Sequence, residues 1–476
     1  MAVNVAELMN ALPVVDADEP VAADGIVSEA LATALSKRPV PVGSLTRLSL
    51  LGGLQAKIAV AYGFHWIRGW FQNADQREKD LVETHFKAAV KLLDSMGYLR
   101  GAVMKVGQTL ANFPDVAPDG IVQTLDKLHF QAPPMHFSLL RETVINELGD
   151  EPHNLFAEFD ETAFAAASLG QVHRAKLKSG QQVAVKIQYP GIAKTIRTDF
   201  RNLIPLLLPT RLTGDWANMK AQVEYARQGI EEETDYAREA ETLTRVQKLF
   251  YEEDGIVVPK VHSEFSTDRI LTMDYLEGDH LDAMLARNPS QDERNAYALK
   301  LNRAGARLVY RGRLNNVDVH PGNYLFMSDG RHGLIDFGCV MRIEDDANWQ
   351  LYGRLHKGMM TGEEDAIRSG MKEWQQLSDE PRDAENLRLA IEFGKLCWKP
   401  YYAPGPFDFG DREYLQRGID LVSELMKNRC TRSHPTNLMQ VRWHVGWWMM
   451  LYRLGANIDL TPLVNEEASV TGWDGC

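Results

Sequence analysis

The first half of the chain changes from a helical to a β-rich pattern. Residues 74–112 and 136–150 combine helix formers with few breakers, and prolines interrupt the chain between them. From residue 156 the pattern becomes β-rich. Short segments at 172–177 and 182–188 flank the turn at 178–180, which contains Gly180. This arrangement predicts a β-hairpin.

The middle of the chain combines long helices with strands. Residues 217–250 contain no proline and only Gly229, which predicts one continuous polar helix. Strands are predicted at 256–261 and 270–275, and another helix at 291–313.

The last third is mostly helical. Two short β-like segments, 324–327 and 333–335, enclose a turn at 328–330, and beyond residue 345 the helical pattern breaks only near 400–406. The order predicts an α+β fold class: helices, a small β-rich lobe with one inserted helix, and a helix-rich lobe. Two lobes joined at one strand form a cleft, and clefts hold ligands.

Composition narrows the classes of function. Of the 476 residues, 45% are hydrophobic and 25% are charged, which is typical of a globular protein and excludes a mostly disordered or collagen-like chain. The formal net charge of -13 disfavours nucleic acid as a partner. The four cysteines form no CxxC pair, which indicates a reducing compartment without a disulfide framework: Cys339, Cys397, Cys430 and Cys476.

The N-terminal pattern bears on localisation. Residues 1–36 contain no Lys or Arg and several acids, which matches neither a secretory signal nor a mitochondrial presequence, so we expect a flexible acidic tail and a cytoplasmic protein. No stretch is a clean membrane span. The segments 47–68 and 443–452 are candidates for contact with a membrane surface, and packing on the protein's own core is the favoured alternative.

Two acidic motifs predict a metal-assisted phosphate chemistry. Asp318 and Asn323 are five positions apart, the spacing at which protein kinases place a hydroxyl-orienting carboxylate and a metal-binding amide. Asp336 follows an apolar segment and begins Asp-Phe-Gly. Because hard oxygen ligands suit Mg²⁺ bound to phosphates, Asn323 and Asp336 are the predicted metal ligands.

Two further motifs lie upstream. Lys186 ends the segment Val-Ala-Val-Lys, which in kinases grips the nucleotide phosphates. Before it, the kinase pattern G-x-G-x-x-G-x-V aligns with Ala165, Ala167 and Gly170 on the glycine positions and with Val172 on the valine. Alanine limits how closely a backbone approaches phosphate, so this loop is predicted to be stiffer. An Ala-rich helix start is the alternative.

Lys186 needs an acidic partner from the long helix predicted at 217–250. Asp235 and Glu239 are four residues apart and are predicted to share one helix face. The complete set of candidates on this helix is Glu231, Glu232, Glu233, Asp235 and Glu239.

Together these residues resemble the UbiB family, the aarF-domain-containing atypical protein-kinase-like proteins. The resemblance runs from about residue 95 to 345, and more loosely to about 460. It rests on five blocks: Lys105-Val106-Gly107-Gln108, the KxGQ motif; the Ala-rich loop with Ser168 to His173; the strand ending at Lys186 and continuing to Gly191; Glu233 to Tyr236, the ExD motif; and Asp318 to Asn323 with Asp336.

The resemblance implies a two-lobed protein-kinase-like fold with a helical N-terminal extension over the cleft. It divides the chain into a tail at 1–40, the extension at 41–135, an N-lobe at 136–272 and a C-lobe at 273–476. Lys105 and Gln108 of KxGQ would occupy the place of a protein substrate, with Lys105 paired to Glu233. Glu239 would then pair with Lys186, although the two acids could exchange roles.

The same resemblance implies ATP or ADP with Mg²⁺ as cofactors and ATP hydrolysis as the reaction. The catalytic residues would be Asp318, Lys186, Glu239, Glu233, Lys105 and Gln108. The nucleotide-binding residues would be Ala165, Ala166, Ala167, Ser168, Gly170, Val172, Lys186, Met273 and Tyr275. The family supports biosynthesis of ubiquinone and related isoprenoid lipids, so quinone-biosynthesis proteins and a peripheral contact with the inner face of the membrane, or with an isoprenoid lipid, are the expected partners.

One departure and two alternatives accompany this interpretation. The family segment His-Ala-Asp reads Asn316-Val317-Asp318 here, which leaves the role of Asp318 intact. A small-molecule phosphotransferase shares the Asp-to-Asn spacing, but KxGQ and the Ala-rich loop argue against it. A nucleotide-binding pseudokinase scaffold is the second alternative. It would need a feature that prevents catalysis, and the Ala-rich loop is the visible one.

Overall fold

The computed structural model describes residues 135–471 except 168, 195, 198–215, 376, 378–380 and 428–434. The predicted acidic tail, nearly all of the N-terminal extension with its KxGQ motif and the segment 47–68 lie outside the described residues. The first described lobe begins with two helices and four strands: α1 Ser138–Leu148, α2 Pro152–Leu155, β1 Glu158–Phe159, β2 Ala165–Ala167, β3 Gly170–Lys176 and β4 Gln182–Gln188.

Two helices and one strand complete this lobe: α3 Trp216–Glu233, α4 Tyr236–Gln247 and β6 Ile270–Asp274. Between α4 and β6, strand β5 Ile256–Val257 pairs in parallel with His332 and Gly333 of the second lobe. The strands form an antiparallel sheet in the order β1-β3-β4-β6, with β2 paired to β3. The predicted hairpin at 178–180 is present, and Gly180 has a φ of 92°, the left-handed conformation that glycine adopts without strain. β5 is shorter than its predicted strand.

Strand β4 presents different residues to the two faces of the sheet. Val183, Val185 and Ile187 lie in the core of the first lobe, under α1. Ala184 belongs instead to the larger core that continues into the second lobe. Because side chains alternate along a strand, Lys186 points to the same face as Ala184, toward the cleft.

The prediction of one continuous helix at 217–250 is wrong, because the helix is interrupted at Thr234 and Asp235. Asp235 is the N-cap of α4, and its carboxylate accepts a hydrogen bond from the backbone N–H of Arg238 at 3.0 Å. Asp235 is exposed while Glu239 is buried, so the two acids do not share a face as predicted.

The second lobe is mainly helical, as predicted. It starts with α5 Leu281–Ala286, α6 Gln291–Tyr310, β7 Leu314–Asn316, β8 Tyr324–Phe326, β9 His332–Leu334 and β10 Val340–Arg342. It continues with α7 Asp346–Thr361, α8 Glu364–Trp374, α9 Pro381–Tyr402, β11 Phe407–Asp408, α10 Arg412–Lys427, α11 Pro435–Leu454, β12 Asn457–Ile458 and α12 Thr461–Thr471. The sequence did not predict the pairing of β7 with β10. This pairing places the chain just before Asp318 beside the chain just after Asp336.

The apolar segment at 443–452 lies in α11 and packs inward. Trp447, Trp448, Met450 and Leu451 are buried in the main core, in agreement with the favoured alternative to a membrane contact. Among the described helices, none combines the length and apolar character needed to cross a bilayer.

Candidate active site

Lys186 lies at the centre of the cleft between the lobes. Its Nζ donates to both carboxylate oxygens of Glu239 at 2.9 Å and is 3.5 Å from Oδ2 of Asp336. The ammonium also lies over the ring of Tyr236, 4.9 Å from its centroid. Both Lys186 and Glu239 are buried. Of the five acids considered from sequence, Glu239 therefore makes the ion pair with Lys186.

The charges in this cluster shift the pKa of both partners. Burial by itself lowers the pKa of Lys186, but the carboxylates of Asp336 and Glu239 outweigh burial and hold that pKa well above its ordinary value. Burial raises the pKa of Glu239 to about 7; Lys186 opposes this shift, and the second carboxylate, Asp336, adds to it. Two carboxylates thus share one ammonium, and the cleft carries an excess of negative charge suited to a cation.

Asp318 and Asn323 lie in the loop between β7 and β8. The side-chain amide of Asn323 donates from Nδ2 to the backbone carbonyl of Asp318 at 2.9 Å. This bond orients Asn323 so that its Oδ1 remains as an oxygen ligand. A short 3₁₀ turn at Pro321–Asn323 completes the loop.

Asp336 lies two residues beyond β9. Its Oδ1 accepts a hydrogen bond from the backbone N–H of Gly338 at 2.9 Å, which fixes the carboxylate. A Cβ at Gly338 would lie 3.3 Å from that Oδ1 and 3.6 Å from Oε2 of Glu239. Glycine thus lets the chain turn closely around the two carboxylates.

Two adjoining cavities connect these residues. One, of about 20 Å³, is lined by Lys186, Glu233, Glu239, Asp318 and Asp336, together with Leu169, Tyr236, Gly338 and Cys339. The other, also of about 20 Å³, is lined by Asn323 and again by Asp336. Asp336 thus borders both, and the two predicted metal ligands face one space.

A magnesium ion fits the donors present here. Asp336 offers a carboxylate and Asn323 an amide oxygen, and phosphate oxygens would supply further ligands of the hard type that Mg²⁺ prefers. Within the described residues, no group of three or more His, Cys, Asp or Glu side chains could hold a metal ion. The two protein oxygens named above suit an ion that also binds phosphate oxygens.

The Ala-rich loop is a strand and not a helix start. Ala165 pairs with Val172, Ala166 with Gln171 and Ala167 with Gly170. A Cβ on Gly170 would lie 2.2 Å from the carbonyl oxygen of Ile187, so this glycine is required by the close approach of β3 and β4. Ser168 lies outside the described residues.

Besides Lys186, further predicted nucleotide-binding residues share the cleft-side face of the sheet. Met273 lies opposite Ala184 in the β4–β6 register, and Val172 packs against the same core. Tyr275 follows β6. Its phenol accepts a hydrogen bond from Arg174 at 2.8 Å and its backbone N–H donates to the carbonyl of Gln182 at 3.1 Å.

The structure places Glu233, the last residue of α3, beside the Lys186 cluster, whereas Lys105 and Gln108 lie outside the described residues. It also adds Asn316, which the motif analysis treated only as a departure. The Asn316 amide donates to the carbonyl of Asp336 at 3.1 Å, and its Oδ1 accepts from the N–H of Asp318 at 3.3 Å. Asn316 thus ties the two acidic loops together. Its position two residues before Asp318 was the available signal.

A two-lobed fold with a Lys–Glu ion pair beside two loop carboxylates defines a protein-kinase-like protein. The model of the ABC1 atypical kinase-like domain matches residues 127–370, and the chain belongs to this family.

Named relatives extend the similarity over most of the chain. The chain is 27% identical to the atypical kinase COQ8B, mitochondrial, of Rattus norvegicus over 90% of this chain and 81% of that protein. It is 30% identical to the atypical kinase COQ8, mitochondrial, of Saccharomyces cerevisiae over 66% of this chain and 62% of that protein.

Among solved structures, the Rv3197–erythromycin complex from Mycobacterium tuberculosis has a similar fold. Its TM-score is 0.53 with 24% sequence identity, covering 84% of this chain and 100% of that one. At this identity the likeness concerns the fold.

Proposed function

We propose that the protein binds ATP and ADP with Mg²⁺ in the cleft around Lys186 and hydrolyses ATP. The observation that carries the proposal is the bidentate Lys186–Glu239 ion pair at 2.9 Å, with Asp336 at 3.5 Å from the same ammonium and Asp318 lining the same cavity. Kinase-like phosphoryl transfer uses these groups for positioning and electrostatic stabilisation.

Each side chain has a role in this proposal. Lys186 is held by Glu239 with its ammonium directed into the cleft, where it would contact the nucleotide phosphates. Asp318 would orient the attacking water and accept its proton. Asp336 and Asn323 would hold Mg²⁺, which when bound offsets the negative charge of the phosphates.

We further propose that this activity supports biosynthesis of ubiquinone or a related isoprenoid lipid. The support is membership of the family and similarity to relatives named atypical kinase COQ8. Peripheral membrane contact through 47–68, pairing of Lys105 with Glu233 and domain boundaries near residues 40, 135 and 272 remain predictions from sequence.

Replacing Asp336 by Asn tests the proposed hydrolysis. The amide keeps the shape of the side chain but removes the charge that offsets Mg²⁺, so turnover of Mg-ATP should fall by much more than about tenfold, or about 1.4 kcal/mol of barrier. Asp292→Asn, an exposed site in the first turn of α6, is the matched control and should retain wild-type turnover. The measurement is release of phosphate at saturating Mg-ATP.

The outcomes separate the alternatives. Turnover of Asp336→Asn within about tenfold of wild type would remove Asp336 from the metal role. Tight nucleotide binding without hydrolysis by the wild-type protein would favour the pseudokinase scaffold instead.

A further inference from the structure

A large cavity lies among the helices of the second lobe, apart from the Lys186 cleft. Its cavity volume is about 130 Å³, compared with about 20 Å³ for the cavity at Lys186, and it is open to solvent at its mouth. Helices α6, α7, α9 and α11 provide most of its walls. This volume exceeds the roughly 10–15 Å³ that one buried water molecule needs and is close to that of cavities that bind small apolar molecules.

The lining carries no formal charge. Among the described residues that surround the cavity, none is Asp, Glu, Lys or Arg. Burial lowers the pKa of His444 to about 4 and raises the pKa of Tyr401, so both side chains are neutral near pH 7. An ion moved into such a place would lose its hydration without gaining a counter-charge. The lining therefore selects an uncharged occupant.

The polar atoms of the walls are largely satisfied and hold the aromatic rings in place. Trp374 donates from Nε1 to Gln440 at 3.2 Å, and Trp447 donates from Nε1 to Asn302 at 3.0 Å. Nδ1 of His444 donates to the carbonyl of Gln440 at 2.8 Å. Nε2 of His444 is then an acceptor, and it has no partner among the described residues. One hydroxyl of a ligand would satisfy it.

Helix α11 connects this cavity to the active site. A Cβ at Gly446 would lie 3.0 Å from Cβ of Val319, the neighbour of Asp318, so α11 packs directly on the catalytic loop. The cavity also shares a wall with the one that Asn323 and Asp336 line, formed by Gly305, Asn315, Trp443 and Trp447. A molecule in the large cavity would touch the helix that supports Asp318.

We propose that this cavity binds an uncharged, mostly apolar small molecule with one hydroxyl or carbonyl end. Its occupation is coupled through α11 to the nucleotide cleft. Binding in the cavity stands on its own observations, whereas the coupling rests on the proposed function.

Farnesol and farnesyl phosphate are a matched pair of probes for the chemistry. Titration of the full-length protein, followed by tryptophan fluorescence, should show saturable binding of farnesol that is at least about tenfold tighter than that of farnesyl phosphate. No binding of farnesol, or equal affinity for the two probes, would overturn the proposal.

Two cavity-filling variants test the location. Ala306→Leu on α6 and Ala390→Leu on α9 each add bulk to the lining, and each should weaken farnesol binding by at least about tenfold. Ala347→Leu, exposed on α7, is the matched control and should bind like wild type. Thermal melting shows which variants fold, and one folded cavity-filling variant is enough for the test. Wild-type affinity in a folded filled variant would place the ligand elsewhere and refute the site.

Reciprocal titrations test the coupling. Saturating farnesol should change the Kd of Mg-ADP in the wild-type protein but not in Ala306→Leu, because coupling free energy acts in both directions. An unchanged Kd in the wild type would overturn the coupling. Absence of nucleotide binding with farnesol binding intact would count against the proposed function and not against the cavity.

Discussion

At the scale of the residue, Glu239 makes stability depend on pH. Its pKa is raised to about 7 from an ordinary value of 4.5, mainly by burial. Between these values the folded protein holds a proton that the unfolded chain releases. This group's contribution to the free energy of unfolding therefore decreases as the pH rises through that window. Lys186 affects stability in a different pH range: its raised pKa adds stability that is fully present below pH 10.5 and is lost at higher pH.

Glu239→Gln should flatten this dependence. Glutamine does not titrate, so the loss of unfolding free energy between about pH 5 and about pH 8 should be smaller in the variant than in wild type. Urea unfolding at both pH values gives the two differences. Glu241→Gln on the same helix, where the side chain is 70% exposed, should behave like wild type. If Glu239→Gln and wild type lose the same stability, Glu239 does not carry this proton.

At the scale of the element, the β2–β3 hairpin would determine how closely the backbone approaches a nucleotide in the proposed site. Ala167 pairs with Gly170 at the closed end of the hairpin. Ala167→Gly removes a Cβ and widens the allowed φ and ψ, so the loop should move closer to the phosphates. We expect altered ATP and ADP affinity, gained self-phosphorylation, and a loss of stability of up to about 1 kcal/mol.

Ala384→Gly is the control. It is exposed on α9, outside the proposed nucleotide site, so it should cost similar stability without changing affinity. The measurements are titration calorimetry with each nucleotide and thermal melting. Equal melting losses with unchanged affinities in both variants would mean that Ala167 serves packing alone.

A buried ion cluster attaches the last described helix, α12, to the second lobe. The carboxylate of Glu467 is fully buried and accepts hydrogen bonds from Arg307 at 3.0 Å and from Arg311. Glu467→Ala leaves those guanidinium groups without this partner and should cost about 3–5 kcal/mol of unfolding free energy. Glu466→Ala, where the side chain is 45% exposed, should cost less than about 1 kcal/mol. Denaturant unfolding distinguishes the two, and equal losses would contradict the burial argument.

At the scale of the whole molecule, local sequence patterns predicted the order of the helices and strands better than the positions at which they end. Strand β4 was predicted at its observed bounds because the β-rich sequence of this segment and the turn at 178–180 before it both indicate a strand there. The break between α3 and α4 depends on one capping side chain, Asp235, which the helix-forming composition around it obscured. The β7–β10 pair joins residues more than twenty positions apart in three-residue strands, too short for periodicity to indicate.

The candidate site shows the same limit. Motif spacing identified Lys186, Asp318, Asn323 and Asp336, and the structure brings these side chains around adjoining cavities. The spacing did not decide between Glu233 and Glu239, because that choice depends on how α4 packs against the sheet. Asn316 was missed as a link between the loops because its two hydrogen bonds reach backbone groups, which leave no trace in a motif.

The most direct test of the central claim is calorimetric titration of the wild-type protein with ATP, in Mg²⁺ and in EDTA. The account predicts one nucleotide per chain, with affinity at least about tenfold weaker in EDTA, since Asn323 and Asp336 would hold a magnesium ion that offsets the charge of the phosphates. Asp318→Asn should bind Mg-ATP like wild type, because that carboxylate acts on the attacking water. An absence of binding, or the same affinity with and without Mg²⁺, would contradict a magnesium-nucleotide site in this cleft.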